Sequence, residues 1–371
     1  MLPVVRLVYP RVARILAFRA LTLLFTLLII VLLTALIVTG TGYDRIIIEA
    51  QIRMEIQAFV ESIKRQGVQV DETVVKAYEE ELRKVYGLDA SPLYRAWKLA
   101  VSTVTLDLYV SQPSVADAVG LTPPVKVVDA IRIALPRTIV MITTAYILAF
   151  LITIPLGTFV AYKRGRVLDK AVVSYAALTN ALPAWWIAML AILVFGFGLD
   201  VAPKNYRLVI AHLGDLSRSL EALDLWGFLV ALKEVLYYAY LPVLVVFFAI
   251  SNNIVYASRA ITLRVVTEDF VNVARAKGLS ERLILWRYVL RAAVGPILTM
   301  VILGLAGSIG GYIITEAIFD WPGMGLLTRE AITSGDSPTV LGLVYVTTAV
   351  YIAARFLLEV LYVLLDPRVR L

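Results

Sequence analysis

The sequence holds one histidine, His212, and no cysteine. A Cys–His nucleophile pair and the two-histidine zinc helix H-E-x-x-H both need residues this chain lacks. Disulfides and thiolate metal sites fall with the cysteines. His212 lies between two long apolar stretches and reads as a solvated loop residue. No G-x-x-x-x-G-K-[ST] run occurs, so the chain has no recognisable cradle for nucleotide phosphates. The residues that remain of interest are those that could bind, couple or line a path.

Two sets of such residues stand out. The first is a polar run between residues 267 and 296. Glu268 and Asp269 sit where a helix would begin, and the partial positive charge of a helix N-terminus favours acids. Phe270, Val271, Ala274, Arg275, Ala276 and Lys277 continue that helix. Gly278 reads as its stop, because glycine alone adopts left-handed backbone freely. Leu279 follows, and Ser280 can cap a second helix that offers Leu283, Ile284 and Trp286 for apolar contacts. The spacing predicts a short helix, a glycine turn and a second helix, against the plainer reading of a connector. The second set consists of polar residues inside apolar stretches, each costly in hydrocarbon. Asn180, Ser251, Asn252 and Asn253 could line a translocation path or hydrogen-bond a neighbouring helix. Arg355 and Glu359 are four apart, so they share a helix face and are expected to neutralise each other in packing. Glu316 is expected to reach an interface. Gly307 and Gly311 form a small-xxx-small pair that usually marks close helix packing.

The elements that must position these residues follow from composition. Of 371 residues 60% are hydrophobic and only 17% are charged, against roughly 25% charged in ordinary soluble domains. Mean hydropathy is +0.83. Stretches near 20–40, 137–162, 171–199, 236–258, 292–319 and 339–365 approach or exceed the roughly 20 apolar residues a spanning helix requires. The first has a long core and no small-x-small cleavage site, and is expected to be an uncleaved span rather than a signal peptide. Lys163, Arg164, Arg166 and Lys170 follow the second span, and Arg259 through Arg291 follow the fourth. Short cytoplasmic loops accumulate such charges, so both termini are expected in the cytoplasm of a multi-pass cell-membrane protein. The net charge of +7 is assigned to membrane ends rather than to nucleic acid, for which no basic run or aromatic platform is present. The chain is thus read as all-α and polytopic, with an N-terminus and first span (1–40), an external, partly helical region (41–135) and a five-helix core (136–371) carrying a cytoplasmic loop (259–291). Apolar residues at helical spacing, including Ile52, Ile56, Phe59, Val60 and Ile63, predict amphipathic external helices.

The run Asp269-Phe-Val-Asn-Val-Ala-Arg-Ala-Lys-Gly-Leu-Ser280 resembles the coupling-loop signature of ATP-binding-cassette importer permeases, in the form used by the B-type subunits of dipeptide and oligopeptide transporters. Those permeases often read Glu-Ala-Ala where this chain has Asn272-Val273-Ala274. Leu135-Pro-Arg-Thr138, Ile154-Pro-Leu-Gly157 and Tyr162-Lys-Arg-Gly165 are similar to the same family's pattern. So are Phe319-Asp-Trp321-Pro322-Gly323-Met-Gly325, Gly335-Asp-Ser-Pro338 and the terminal Leu365-Asp-Pro-Arg-Val-Arg-Leu371. The likeness runs from about Leu82 to the C-terminus, with residues 43–81 as a longer external insertion.

The resemblance implies an importer permease fold whose loop docks into a groove on an ATPase subunit. It implies a second, C-type permease, two ATP-binding subunits holding ATP and magnesium, and an external substrate-binding protein, with no cofactor on this chain. Its branch takes di- and oligopeptides, nickel and, in some heat-loving prokaryotes, oligosaccharides; the lack of Cys and scarcity of Gln fit such a source. An ion-coupled secondary transporter would call for buried acids and repeated halves, which the sequence does not display. A structural membrane protein would lack the loop signature.

Overall fold

The computed structural model describes residues 2–65, 71–108, 110–310 and 312–365. It is helical, and the chain forms two compact units, one from Met1–Ala134 with Leu327–Leu371, the other from Leu135–Leu326. The divisions fall at Ala134/Leu135 and at Leu326/Leu327, so the last helix belongs to the same unit as the N-terminal residues.

In the first unit, α1 (Leu2–Gly40) stops at Gly40, and Gly42 turns the chain at a φ of +75°. Its threonines Thr22, Thr26, Thr34 and Thr39 each bond a carbonyl four residues back, so these four hydroxyls are paired on an apolar helix. Helices α2 (Tyr43–Arg65) and α3 (Glu72–Tyr86) are the predicted amphipathic pair. They close on Ile48, Ile52, Leu82 and Leu88, with Phe59 stacked on Tyr78 at 4.4 Å. Asp71 caps α3 through the Thr73 N–H, and Gly87 ends it at a φ of +74°. Helix α4 (Pro92–Val104) begins with Ser91 at its cap and proline in its first turn, where a missing N–H costs nothing. Ala96 and Ala100 of α4 bury against Val31 and Ala35 of α1. The Arg95 guanidinium pairs with Asp44 at 2.6 Å with both side chains sealed. Helix α5 (Pro113–Ala118) is short, and its preceding residue Gln112 gives its N–H to Asp336 at 2.7 Å.

Helix α6 (Val127–Tyr162) is longer than predicted and runs through Pro136 and Pro155. The predicted third span is broken: α7 (Val167–Asn180) and α8 (Ala184–Ala191), the latter continuing in a π-wound segment Ile192–Gly198, meet at a 94° bend. Pro183 sits in that bend and cannot donate a helical hydrogen bond. Helices α9 (Val209–Glu221) and α10 (Leu225–Val266) form a hairpin capped by Asp224, which accepts the N–H groups of Trp226 and Gly227. At 42 residues, α10 extends about 63 Å, roughly twice a hydrocarbon core, so one end projects beyond the membrane. His212 lies on α9 and stacks on Tyr238 of α10, 5.5 Å between centroids, rather than in a loop.

Beyond α10 come α11 (Asp269–Ala276), α12 (Glu281–Leu283), a π-wound stretch Ile284–Val289 and α13 (Leu290–Ser308). The fifth span therefore ends at Ser308, not Phe319. Helix α14 (Ile313–Ile318) follows outside it, then α15 (Met324–Thr333) and α16 (Ser337–Leu365). Among the described residues five helices are long and apolar enough to cross a membrane, six if the bent pair is counted as one span.

Two packing expectations are corrected. Glu359 pairs with Arg19 of α1 at 3.2 Å, not with Arg355, because α16 lies against α1 and the interhelical partner is nearer. Gly307 has nothing within 4 Å of where a Cβ would sit; Gly311 and the terminal motif after Leu365 lie outside the described residues. Close approach is made at Gly157 instead, where a Cβ would lie 2.7 Å from the Val255 carbonyl oxygen and 2.8 Å from Ser258 Cβ.

Candidate functional site

The segment from Glu268 to Val289 forms the predicted helix, turn and second helix. Glu268 has the extended backbone of a cap, and Asp269 occupies the first turn of α11. The last turn closes with Lys277 N–H on the Val273 carbonyl, Gly278 N–H on Arg275 and Leu279 N–H on Ala274. Gly278 holds a φ of +74° with open space around it. The glycine is required by the backbone alone, not by a neighbour of the same chain. Ser280 stands at the cap position of α12, but its hydroxyl makes no capping bond; the Ile284 N–H reaches its carbonyl instead.

Helix α11 is two-faced. Val271 and Ala274, three apart, bury against Ile284, Leu285 and Val289, with Leu279, Phe159 and Tyr162 at the edge. Phe270 and Val273, three apart, flank that buried pair and are 41% and 52% exposed. Glu268, Asp269, Arg275, Ala276 and Lys277 are also exposed, acids at the start and bases at the end as the helix dipole favours. Arg275 reaches Glu281 across the glycine turn at 3.3 Å and clips α11 to α12. Leu283 and Trp286, expected to make apolar contacts, are partly exposed; Ile284 and Leu285 are the residues that bury.

The four path candidates separate. Ser251 is 1% exposed and bonds Tyr175 Oη at 2.6 Å. Asn252 is 3% exposed, and its side-chain Oδ1 accepts the Asn253 N–H at 2.5 Å. These two are packed inside the unit. Asn253 is exposed on the other side of α10, and Asn180 is exposed where α7 ends at the bend. The structure does not bring the four together.

The motif Trp321-Pro322-Gly323-Met324-Gly325 wraps a buried acid. Glu316 is 1% exposed. Both its oxygens lie 3.2 Å from Thr138 Oγ1, and Oε2 accepts the Gly325 N–H at 2.8 Å. Thr138 in turn accepts the Met324 N–H at 2.7 Å. A Cβ on Gly323 would collide with Thr138 Oγ1 and Glu316 Oε2. The Pro322 carbonyl accepts a hydrogen bond from Arg137 Nη1, and Trp321 is 3% exposed. Burial pushes the Glu316 carboxyl up to about 7 against the opposing pull of the Gly325 N–H, Thr138 and the Leu326 N–H.

Over residues 153–371 the chain matches the family described as "Binding-protein-dependent transport system inner membrane component". The chain belongs to this family. The permease is similar to the probable D,D-dipeptide transport system permease protein DdpB of Escherichia coli (strain K12), 31% identical over 298 residues, covering 79% of this chain and 84% of that protein. It is similar to the dipeptide transport system permease protein DppB of the same organism, 30% identical over 231 residues, 61% and 68% of the two chains. It is also similar to the oligopeptide transport system permease protein AppB of Bacillus subtilis (strain 168), 25% identical over 241 residues, 65% and 71% of the two chains. This permease is a multi-pass, all-helical membrane protein.

Sequence reasoning placed Glu316 at an interface and missed the cradle. The available signal was an acid followed by two glycines at close spacing, since glycines permit backbone to approach a buried group. A second buried acid, Asp169 of α7, passed unremarked because nothing local marks its partner, Arg259 of α10.

Proposed function

We propose that this permease forms half of the translocation path of an ATP-driven importer of di- or oligopeptides and takes its drive through α11. The observation that carries this reading is the exposed pair Phe270 and Val273 on a helix whose Val271 and Ala274 are sealed. Two apolar side chains on one exposed face, edged by charge, suit a groove on a second protein. With no phosphate cradle in the sequence, hydrolysis falls to partner ATP-binding subunits, which hold ATP and magnesium. A C-type permease completes the path, and an external binding protein delivers substrate. The peptide class is drawn from what the names of the similar permeases state.

The basic residues at the turn between α6 and α7 and around α11 support a cytoplasmic side for that turn, for α11 and for both termini. On the opposite face, α2 to α5 and residues 320–338 contribute to docking the binding protein. The test is the double variant Phe270→Asp with Val273→Asp in the reconstituted complex. Insertion of the chain should be normal, while copurification of the ATP-binding subunits and hydrolysis stimulated by loaded binding protein should be lost. Retention of both refutes the reading.

A further inference from the structure

One carboxylate ties together three chain segments beneath the helical core. Arg259 Nε lies 2.5 Å from Asp169 Oδ1, and its Nη2 lies 3.1 Å from Oδ2. The two side chains are 17% and 5% exposed. Oδ2 also accepts the Gly165 N–H at 2.9 Å, where the chain turns between α6 and α7 at a φ of +84°. The surroundings leave little slack. Val160, Val172, Ala176 and Val255 form one buried cluster, Gly157 packs directly on the α10 backbone, and Thr262 donates to Thr158 at 3.4 Å.

The pair stands between two moving parts of the proposed machine. From Arg259, α10 continues to Val266, and Thr267 and Glu268 lead straight into α11 through N–H bonds to Arg264 and Val265. From Asp169, α7 runs to Asn180 and the 94° bend into α8. A two-bond Arg–carboxylate contact fixes the angle between helices, which a single apolar contact does not. Stability alone is a weak reason for such a pair, because replacing a buried ion pair with apolar residues is often neutral or stabilising.

We propose that Asp169 and Arg259 are a positioning pair that transmits displacement of α11 through α10 to α7 and its bend. They touch neither substrate nor nucleotide. The inference rests on the reading of α11 as the docking element.

The deciding experiment uses the assembled importer carrying the double variant Asp169→Leu with Arg259→Met, which removes both charges and leaves none unpaired, and separately Arg259→Lys. ATP-binding subunits should copurify as with the unaltered chain, and basal hydrolysis should persist. Stimulation of hydrolysis by loaded binding protein should fall by roughly fivefold or more in the double variant, the lower edge of usual coupling effects. Arg259→Lys should fall between, since lysine keeps the charge but not the fork. Unchanged stimulation in the double variant, with subunits bound, overturns the proposal. So does loss of the subunits from both variants, which would assign the pair to building the docking surface. Failure of the unaltered chain to hold the subunits would refute the docking reading itself, and it is recognisable because it needs no variant.

Discussion

Gly325 gives its N–H to the Glu316 carboxylate at 2.8 Å, and a Cβ added at Gly325 would stand 2.9 Å from that carboxyl carbon. The glycine is there so that backbone can close on the acid, and Gly323 closes the other side. Gly323→Ala and Gly325→Ala should each destabilise the permease by about 1–3 kcal/mol, as overpacking of a sealed site does. Thermal unfolding of the purified chain in detergent reads this; unchanged melting would show that the loop can shift at no cost.

Glu316 also sets a pH dependence. Burial pushes its carboxyl up to about 7, above the ordinary glutamate value of about 4.5, so between those values the folded chain holds a proton that the unfolded chain has released. This group's contribution to stability is present below the unfolded value and is lost as pH rises through about 7. Melting temperature should fall from pH 5 to pH 8, and Glu316→Gln should flatten that fall. An identical slope in the variant would sink the assignment.

Asp44 and Arg95 are 51 positions apart and each is nearly sealed. Arg95→Ala leaves a buried carboxylate without its partner and should cost about 3–5 kcal/mol. Arg95 also bonds the Ala90 carbonyl, so the turn before α4 should loosen with it. Limited proteolysis should cut residues 87–92 faster in the variant; equal rates would contradict the pairing.

At Gly278 the backbone is left-handed and the space is open. Gly278→Val should therefore strain the turn by about 1–2 kcal/mol without a clash inside this chain. The spans should insert normally while stimulated ATP hydrolysis of the complex is abolished. Gly278→Asn, which tolerates such backbone, should keep most of it. Full stimulation with valine would make this segment a mere connector.

Orientation can be read directly because the chain has no cysteine of its own. Single cysteines at the exposed positions Ser62 and Ser217 should react with an impermeant thiol reagent outside intact cells, while one at Ser280 should not. Labelling of Ser280 from outside would invert the topology and remove α11 from any cytoplasmic partner.

The sequence by itself determined the membrane class, the approximate spans, the amphipathic pair α2 and α3, and α11 with its turn at Gly278. Each of these rests on local facts: apolar length, helical spacing, and the backbone freedom of one glycine. The tertiary structure alone decided which polar residues meet. Glu359 looked to Arg355 one turn away and found Arg19 on another helix; Glu316 found Thr138, 178 positions distant, and Asp169 found Arg259, 90 positions distant. A charge in an apolar setting takes whichever partner the packed helices bring within about 3 Å, and that proximity is a property of helix packing, which no run of neighbouring residues encodes.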